Sequence, residues 1–396
     1  MAHKTLIGGT SYNISGGKSM VSGTVYNISG GKTLVDGTSY SLSFKEKAYA
    51  MYYTDYTMVF QLGDDSDPNK TLSASYTGFE DTSYDYYAPW NSRLTYLRNV
   101  TFNDEISPIS LAFWFNNARY LSSNISNFIN LNMSNVIDMR NTYYYCKNLT
   151  GSPACGNNVT DMYYAYSFCS NLTGSPACGP NVINMNSTYE YCSNLTGYPV
   201  CGNNVTDMDS TYQSCSNLTG SPACGPNVKS MSGTYEYCYN LTGSPVCGDN
   251  VKSMSWTYFC CNNLTGSPVC GPNVTYMDRT YFNCRNLTGS PVCGDNVTTM
   301  ESTYNNCRNL TGSPVCGPNV TDMYCTYYAC YNITGSPVCG DKVTTMNQTY
   351  SSCSNLTGSP VCGPNVINMY STYYNCRNLT GSPVCGNKVT TLSWAY

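Results

Sequence analysis

Hydrophobic and polar positions recur every 23 residues from Cys146 to the end of the chain, without insertion or deletion. With few substitutions, each copy carries the pattern Val-x-x-Met-x-x-x-Tyr-x-x-Cys-x-x-Leu, which spaces apolar side chains three or four residues apart. A fixed period this short is typical of a repeat solenoid, in which each copy forms one coil that stacks on the next. The apolar spacing predicts a short helical turn in each of about eleven coils, and the following Asn-Leu-Thr-Gly text predicts a short strand.

The invariant positions of the repeat are predicted to form ladders through the stack. Tyrosine and methionine are expected to fill the core, because a single coil has nowhere else to bury them. A short amide in every coil can bond its copies above and below and can satisfy turn backbone groups. The predicted ladder residues of the first two copies are Tyr143, Tyr166, Cys146, Cys169, Cys155, Cys178, Asn148 and Asn171.

The paired cysteines leave two interpretations open. They can be small buried thiols stacked as ladders, as free cysteine commonly is, or they can bridge each coil as disulfides. A metal site is disfavoured, because His3 is the only histidine and no Cys-x-x-Cys spacing occurs.

The positions that vary between copies are expected to face solvent and to carry any recognition. They hold tyrosine, serine and asparagine with occasional tryptophan and arginine, a composition typical of rigid binding surfaces. Ordinary surface residues beside a tyrosine-rich core are the alternative interpretation. The candidate binding residues are Tyr144, Tyr163, Tyr164, Trp256, Phe259, Arg279, Phe282, Tyr324, Tyr328, Tyr370 and Tyr374.

Three regions are predicted. Residues 1–44 contain three lines with a period of 14, and each line predicts two short strands with Gly-rich turns. Residues 45–110 predict a small β-rich domain with Trp90 and Trp114 in its core. Residues 111–396 predict the solenoid with an N-terminal cap.

The amino-acid composition argues against several classes of function. The chain has 39 Tyr and 24 Cys, but only 11% charged residues and a net charge of −4, so nucleic acid is not an expected partner. No apolar run approaches the roughly 18 residues that a membrane span requires. A single histidine excludes a Ser/His/Asp triad, and no glycine-rich phosphate loop precedes a helix. No enzymatic activity, cofactor or metal is therefore expected.

The repeat resembles the leucine-rich repeats of BspA-type bacterial surface proteins. The text "NVTDMYYAYSFCSNLTGSPACG" carries the resemblance through Val159, Met162, Tyr166, Cys169 and Leu172, and the similarity covers residues 48–396. Two departures are Tyr in the position where the family has Phe and "GSPVCG" in place of its usual strand text. The resemblance implies a leucine-rich-repeat-like solenoid that serves binding or adhesion, without catalytic residues.

The three N-terminal lines resemble short modules of tailed-phage structural proteins. This resemblance implies a phage or prophage virion protein, made in the bacterial cytoplasm and placed on the virion surface as a tail fibre or similar appendage. The solenoid would bind a host-surface glycan or protein, while residues 1–44 would contact other virion proteins or sister chains in a homo-oligomer. The alternatives are a BspA-type bacterial cell-surface adhesin and a capsid or tail decoration protein without a receptor.

Overall fold

The computed structural model describes residues 3–7, 10–14, 18–21, 24–27, 32–35, 38–41, 47–82, 87–122, 125–126, 128–381 and 385–396. The chain divides into two compact units, Met1–Lys47 and Ala48–Tyr396. The boundary predicted at residue 110 lies inside the second unit. Among the described residues, the longest α-helix has four residues, so none could cross a bilayer.

The first unit consists of three antiparallel hairpins, one for each 14-residue line. Strands β1 (His3–Ile7) and β2 (Thr10–Ile14) pair with His3 opposite Ile14. Strands β3 (Lys18–Val21) and β4 (Thr24–Asn27) form the second hairpin, and β5 (Lys32–Val35) and β6 (Thr38–Ser41) form the third. The predicted pair of strands per line is confirmed.

The second unit begins with a five-stranded sheet of order β11-β10-β8-β7-β9. Strands β7 (Ala48–Tyr53), β8 (Thr57–Leu62) and β9 (Leu72–Thr77) pair antiparallel, with β7 in the middle. After helix α1 (Asn91–Leu94), strands β10 (Asn99–Phe102) and β11 (Ile125–Ser126) add in parallel to β8. Two 3-10 helices, Phe128–Asn130 and Met133–Asn135, lead into the repeats. The bridges between the coils that follow are also parallel, so the coils continue the strand direction of this edge.

An aromatic cluster fills the core under this sheet. Trp90 and Trp114 are fully buried, as predicted, and the indole N–H of Trp90 donates to the carbonyl of Trp114 at 2.7 Å. The Phe60 ring stacks on Trp114 with centroids 5.2 Å apart. Phe115 then stacks on Tyr143, the first tyrosine of the repeat ladder, at 5.4 Å. The cap and the solenoid consequently share one continuous core.

The solenoid is built from coils that stack in parallel at the 23-residue period. One isolated bridge joins each coil to the next, from Asp138–Asp161 through to Asn368–Thr391. The core tyrosines stack nearly parallel along the whole array, with neighbouring centroids 5.2 to 5.7 Å apart. Valine, methionine and leucine columns are buried beside them. The repeat solenoid that the period predicts is therefore present.

The helical turn predicted in each coil is wrong. In the Cys169 coil, the N–H of Ala165 donates to the carbonyl of Met162 at 2.9 Å, and Tyr164 inside this turn has a φ of 54°. Phe168 has a φ of 61° in a second turn of the same kind. A positive φ at the third residue, with no positive φ at the second, is characteristic of a type II turn, and neither Tyr163 nor Ser167 has a positive φ. Two consecutive type II turns bury residues at the same spacing as a helix, which explains the misleading pattern.

The strand predicted at Asn-Leu-Thr-Gly is also wrong. In this segment the N–H of Thr173 donates one hydrogen bond to the carbonyl of Gly151 in the preceding coil, at 3.0 Å. The next residue, Gly174, has a φ of +83°. The main ladder lies instead on the turn segment, where every second N–H donates to the next coil. In the Cys169 coil these bonds are Met162 to Asn184 (3.0 Å), Tyr164 to Asn186 (3.2 Å), Tyr166 to Thr188 (2.9 Å) and Phe168 to Glu190 (2.7 Å).

The tyrosine hydroxyl stabilises the Gly-Ser-Pro-Val-Cys stretch, which bears few ladder bonds. The Tyr281 hydroxyl accepts from the N–H of Val269 at 3.0 Å and donates to the carbonyl of the same residue at 2.8 Å. The arrangement repeats in every coil from Tyr166 to Tyr373. Phenylalanine could fill the same space but could not make these bonds. The tyrosine at this position is therefore explained by its bonds to the Gly-Ser-Pro-Val-Cys stretch.

The two cysteine columns have different environments. Cys146 and Cys169 are fully buried, and the thiol of Cys169 donates to the carbonyl of Tyr143 in the preceding coil at 3.0 Å. Cys155 and Cys178 are half-buried along one side of the coil. All 24 cysteines lie within the described residues and are free thiols. The structure therefore has thiols in both columns, and the first column corresponds to the buried-thiol interpretation.

The asparagine column lies at the surface. Asn148 and Asn171 are exposed. Further along the column, the amide of Asn217 donates to that of Asn194 at 3.4 Å, and two other neighbouring pairs make the same bond. An invariant position in this repeat is consequently not always a core position.

Candidate binding surface

The two type II turns of each coil form one side of the solenoid, which we call the turn face. Positions are counted from the first cysteine of each coil, so Tyr164 lies at position −5 of the Cys169 coil. Residues at −7, −4 and −3 point into the core, as Met162, Thr188 and Tyr166 show by their burial. Residues at −8, −6, −5, −2 and −1 form the turn face. Most of them are accessible, but several small or short ones are buried, namely Asp138, Ser167, Ser187, Ser302, Cys325, Ala329, Ser351 and Ser371.

All eleven candidate binding residues lie on the turn face, and none of them is buried. Tyr324, Tyr328, Tyr370 and Tyr374 are the most exposed, with 36 to 49% of each residue accessible. Side-chain contacts or a shared groove place ten of the eleven in three groups rather than in one continuous strip, and Tyr324 belongs to none of these groups.

The first group surrounds Tyr144 near the N-terminal end of the solenoid. The Tyr144 ring lies 5.6 Å from Tyr164, and Tyr163 lies 4.3 Å from Tyr164. Phe168, at position −1, also contacts Tyr144 at 5.8 Å and stacks on Tyr191 at 4.7 Å. Sequence reasoning missed the −1 column, although its distance of four residues from the −5 column was a usable signal.

The second group is centred on Trp256. Its ring lies 4.7 Å from that of Phe259, and Phe259 stacks on Phe282 at 4.7 Å. The Arg279 guanidinium lies 4.7 Å from the centre of the Trp256 ring and forms an ion pair with Glu301. Three aromatic rings and one arginine, predicted separately, are thus in mutual contact.

A groove of about 360 Å³ adjoins this group. Trp256 forms one wall and Glu236 contributes a carboxylate. The remaining lining is small, and consists of Ser210, Ser232, Gly233 and Ser255. Of the lining residues, only Trp256 is among the binding residues predicted from the sequence. The serines and Gly233 could not be recognised as groove residues before the coils were stacked.

The third group lines a second groove of about 300 Å³. Tyr328, Tyr370 and Tyr374 come together there, and Trp394 packs against Tyr374 at 6.3 Å. Trp394 occupies the same −5 column as Trp256, so the column pattern could have identified it. Gln348, Ser351, Ser352 and Ser371 complete the lining.

Half-buried carboxylates occur along the turn face. Burial raises the pKa of Glu190, Asp209 and Glu236 above its ordinary value, while hydrogen bonds from neighbouring side chains oppose the shift. Arg279 is paired with Glu301, and Arg140 is paired with Asp138 at 2.9 Å. Each of these two arginines on the turn face thus has a carboxylate partner.

Among the residues that the structure describes, no group of three or more His, Cys, Asp or Glu side chains could hold a metal ion. The absence of enzymatic activity and of a cofactor remains a prediction from the sequence.

Comparison with solved structures found similarity to a leucine-rich surface protein. No protein-family profile and no curated protein matches the chain. A leucine-rich cell surface protein from Faecalibacterium prausnitzii A2-165 is 12% identical, and the match covers 85% of this chain and 93% of that one with a TM-score of 0.28. At so low a TM-score, the fold assignment rests on the coil geometry of this chain itself. The resemblance of residues 4–44 to phage modules has no support in these comparisons.

Proposed function

We propose that this chain is a non-enzymatic recognition protein that binds a surface glycan or protein through the turn face of its solenoid. One observation carries the proposal. The three aromatic groups and both grooves lie on the same face, and that face is where side chains change from coil to coil. The invariant turn backbone and core hold this face rigidly, so little conformational entropy is lost on binding.

The setting that we favour is the surface of a bacterial cell, where the protein would act as an adhesin. The BspA-type resemblance of the repeat supports this setting over a virion appendage. The virion alternative is supported only by the N-terminal lines, which form three small hairpins in a unit of their own. In either setting those hairpins would provide attachment or oligomerisation.

Binding of the labelled full chain to whole bacteria and to a glycan array tests the recognition proposal. We expect binding that falls at least tenfold in a Tyr328→Ala/Tyr370→Ala/Tyr374→Ala variant. Asn286→Ala/Asn309→Ala, at exposed positions outside the turn face, is the matched control and should bind normally. Absence of binding to every cell and glycan would refute recognition and favour a decoration role.

Antibody labelling distinguishes the two settings. Labelling of intact producing cells that contain no virions supports the adhesin. Labelling confined to purified phage particles would overturn it in favour of the virion protein.

A further inference from the structure

We propose that the groove beside Trp256 is a subsite for one uncharged pyranose ring of a surface glycan. The inference rests on the proposed recognition function and specifies the ligand class of one part of the turn face. Four features of the groove carry it: a missing side chain, a fixed aromatic wall, a lining of hydroxyl groups and an acidic setting.

The groove exists because one coil lacks a side chain at position −5. Gly233 is the single glycine in this column of the described coils, and its φ of +62° matches that of its neighbours, Ser210 at 51° and Trp256 at 60°. A Cβ on Gly233 would lie 3.3 Å from the Ser210 hydroxyl and 3.5 Å from a Glu236 carboxylate oxygen. A longer side chain would extend from there into the groove. Gly233 therefore leaves open a space that residues at −5 occupy elsewhere.

The wall of the groove is an aromatic ring that is held in place. Trp256 is half-buried, with Phe259 4.7 Å away and the Arg279 guanidinium 4.7 Å from its ring. The Glu301 carboxylate in turn positions Arg279. A flat, fixed indole offers an apolar surface for the C–H face of a pyranose ring, without loss of side-chain freedom on binding.

The remaining lining suits a ligand covered with hydroxyl groups. Glu236 is positioned by Gln213, whose amide donates to it at 2.7 Å. A carboxylate accepts several hydrogen bonds at once, and each serine hydroxyl can both donate and accept. Ser232 is already oriented by a 2.7 Å bond to Ser253. Such groups discriminate sugars by the placement of their hydroxyls.

Size and charge select among sugars. At about 360 Å³ the groove lies near the lower end of the roughly 300–1,000 Å³ of ligand pockets. One or two rings fit that volume better than a folded peptide. Because Glu236 lines the groove and Arg279 is paired with Glu301, anionic sugars such as sialic acid should be excluded.

Tryptophan fluorescence of the full chain tests the subsite. Trp90 and Trp114 are fully buried, so a Trp394→Phe background makes Trp256 the responsive reporter. The probes are the methyl glycosides of glucose, galactose, mannose and N-acetylglucosamine, with sialic acid as the anionic comparison. We expect at least one neutral glycoside to shift the emission with a Kd on the order of 1–10 mM, and sialic acid to have no effect.

Gly233→Gln provides the discriminating variant. It should fold, because Gln348 occupies the same position in another coil with a φ of 54°, and circular dichroism checks this. We expect its glycoside affinity to fall at least tenfold, whereas Asn305→Ala on the same face should bind normally. Glycoside binding by the parent chain that survives Gly233→Gln, equal binding of sialic acid, or no response to any glycoside would each overturn the subsite.

Failure of the subsite and failure of the proposed function have different signatures. If Gly233→Gln and its parent bind cells and glycan arrays equally well, recognition stands and the subsite is refuted. If the parent chain binds neither cells nor arrays, the recognition function itself is refuted.

Discussion

Replacing one core tyrosine by phenylalanine tests how the repeat holds its irregular stretch. Tyr281→Phe removes a single oxygen atom and keeps the ring, which stacks on both neighbouring tyrosines at 5.5 Å. What is lost is the hydroxyl that accepts from the Val269 N–H and donates to its carbonyl.

The expected loss follows from those two bonds. A hydrogen bond contributes a net stability of about 1 kcal/mol, and a buried group left without a partner costs about 1–3 kcal/mol. Tyr281 is fully buried, so water does not readily replace its hydroxyl. We therefore expect Tyr281→Phe to lower the free energy of unfolding of this part of the solenoid by about 2–4 kcal/mol.

Native-state hydrogen exchange measures the effect locally, which matters because coils of a solenoid can open independently. We expect the Val269 amide to exchange roughly 30- to 1,000-fold faster in the variant, since each 1.4 kcal/mol is a factor of ten. Tyr276→Phe, at a ring that is 49% exposed, is the control and should change little. A Val269 exchange rate within threefold of wild type would show that the hydroxyl does not hold this stretch.

Three further predictions follow from the coil geometry. Gly243→Ala should lower the free energy of unfolding by more than about 1 kcal/mol in urea unfolding, because φ is +81° and the new Cβ would overlap the Ser221 hydroxyl and lie 3.0 Å from the Ser221 Cβ. Gly233→Ala should lower the free energy of unfolding by less, because the nearest atom to its new Cβ would be 3.3 Å away. Equal destabilisation by the two substitutions would show that the close contact at Gly243 is not the cause. Thr257→Val should lower the free energy of unfolding by about 1–2 kcal/mol, because the buried Thr257 hydroxyl lies 2.8 Å from methionine carbonyls of two coils. An unchanged free energy of unfolding would show that this hydroxyl does not stabilise the junction between coils. Burial raises the pKa of Cys201 from 9.0 to about 12, because the folded state favours the neutral thiol. Between these values the thiol ionises in the unfolded chain but not in the folded one. The free energy of unfolding should therefore be highest below pH 9 and fall as the pH rises toward 12. Thermal melts in reductant at pH 8 and pH 10.5 measure this, and equal melting temperatures would contradict it.

The period and the composition of the core were predictable from the sequence, because stacked coils must bury the same columns in every copy. Val159, Met162, Tyr166 and Cys169 show this directly. The conformation of the coil was not predictable in the same way. Spacings of three and four fit a helix and a pair of type II turns equally well, and the sequence at Tyr164 and Phe168 contains no glycine to reveal the positive φ.

The sequence predicted which columns of the repeat reach the surface, but not where that surface forms grooves. Variation along the −2, −5 and −6 columns identified residues that the structure leaves accessible, such as Tyr370 and Tyr374. Grooves depend on which neighbouring side chains are small, so Gly233 had no meaning before the coils were stacked. Asn217 confirms the predicted amide ladder, because its exposed side chain donates to its own copy, Asn194, in the preceding coil.

The uniform junction between coils has a genetic consequence. The coils present nearly the same backbone donors and acceptors to their neighbours, so unequal recombination that drops or adds one whole copy joins two edges that already match. Loss of the copy that carries Gly233 would bring the coil of Ser210 beside that of Trp256, so the glycine in the groove lining would be replaced by a serine while the core columns continue. We therefore expect related chains to differ by whole 23-residue copies, and each such chain to fold.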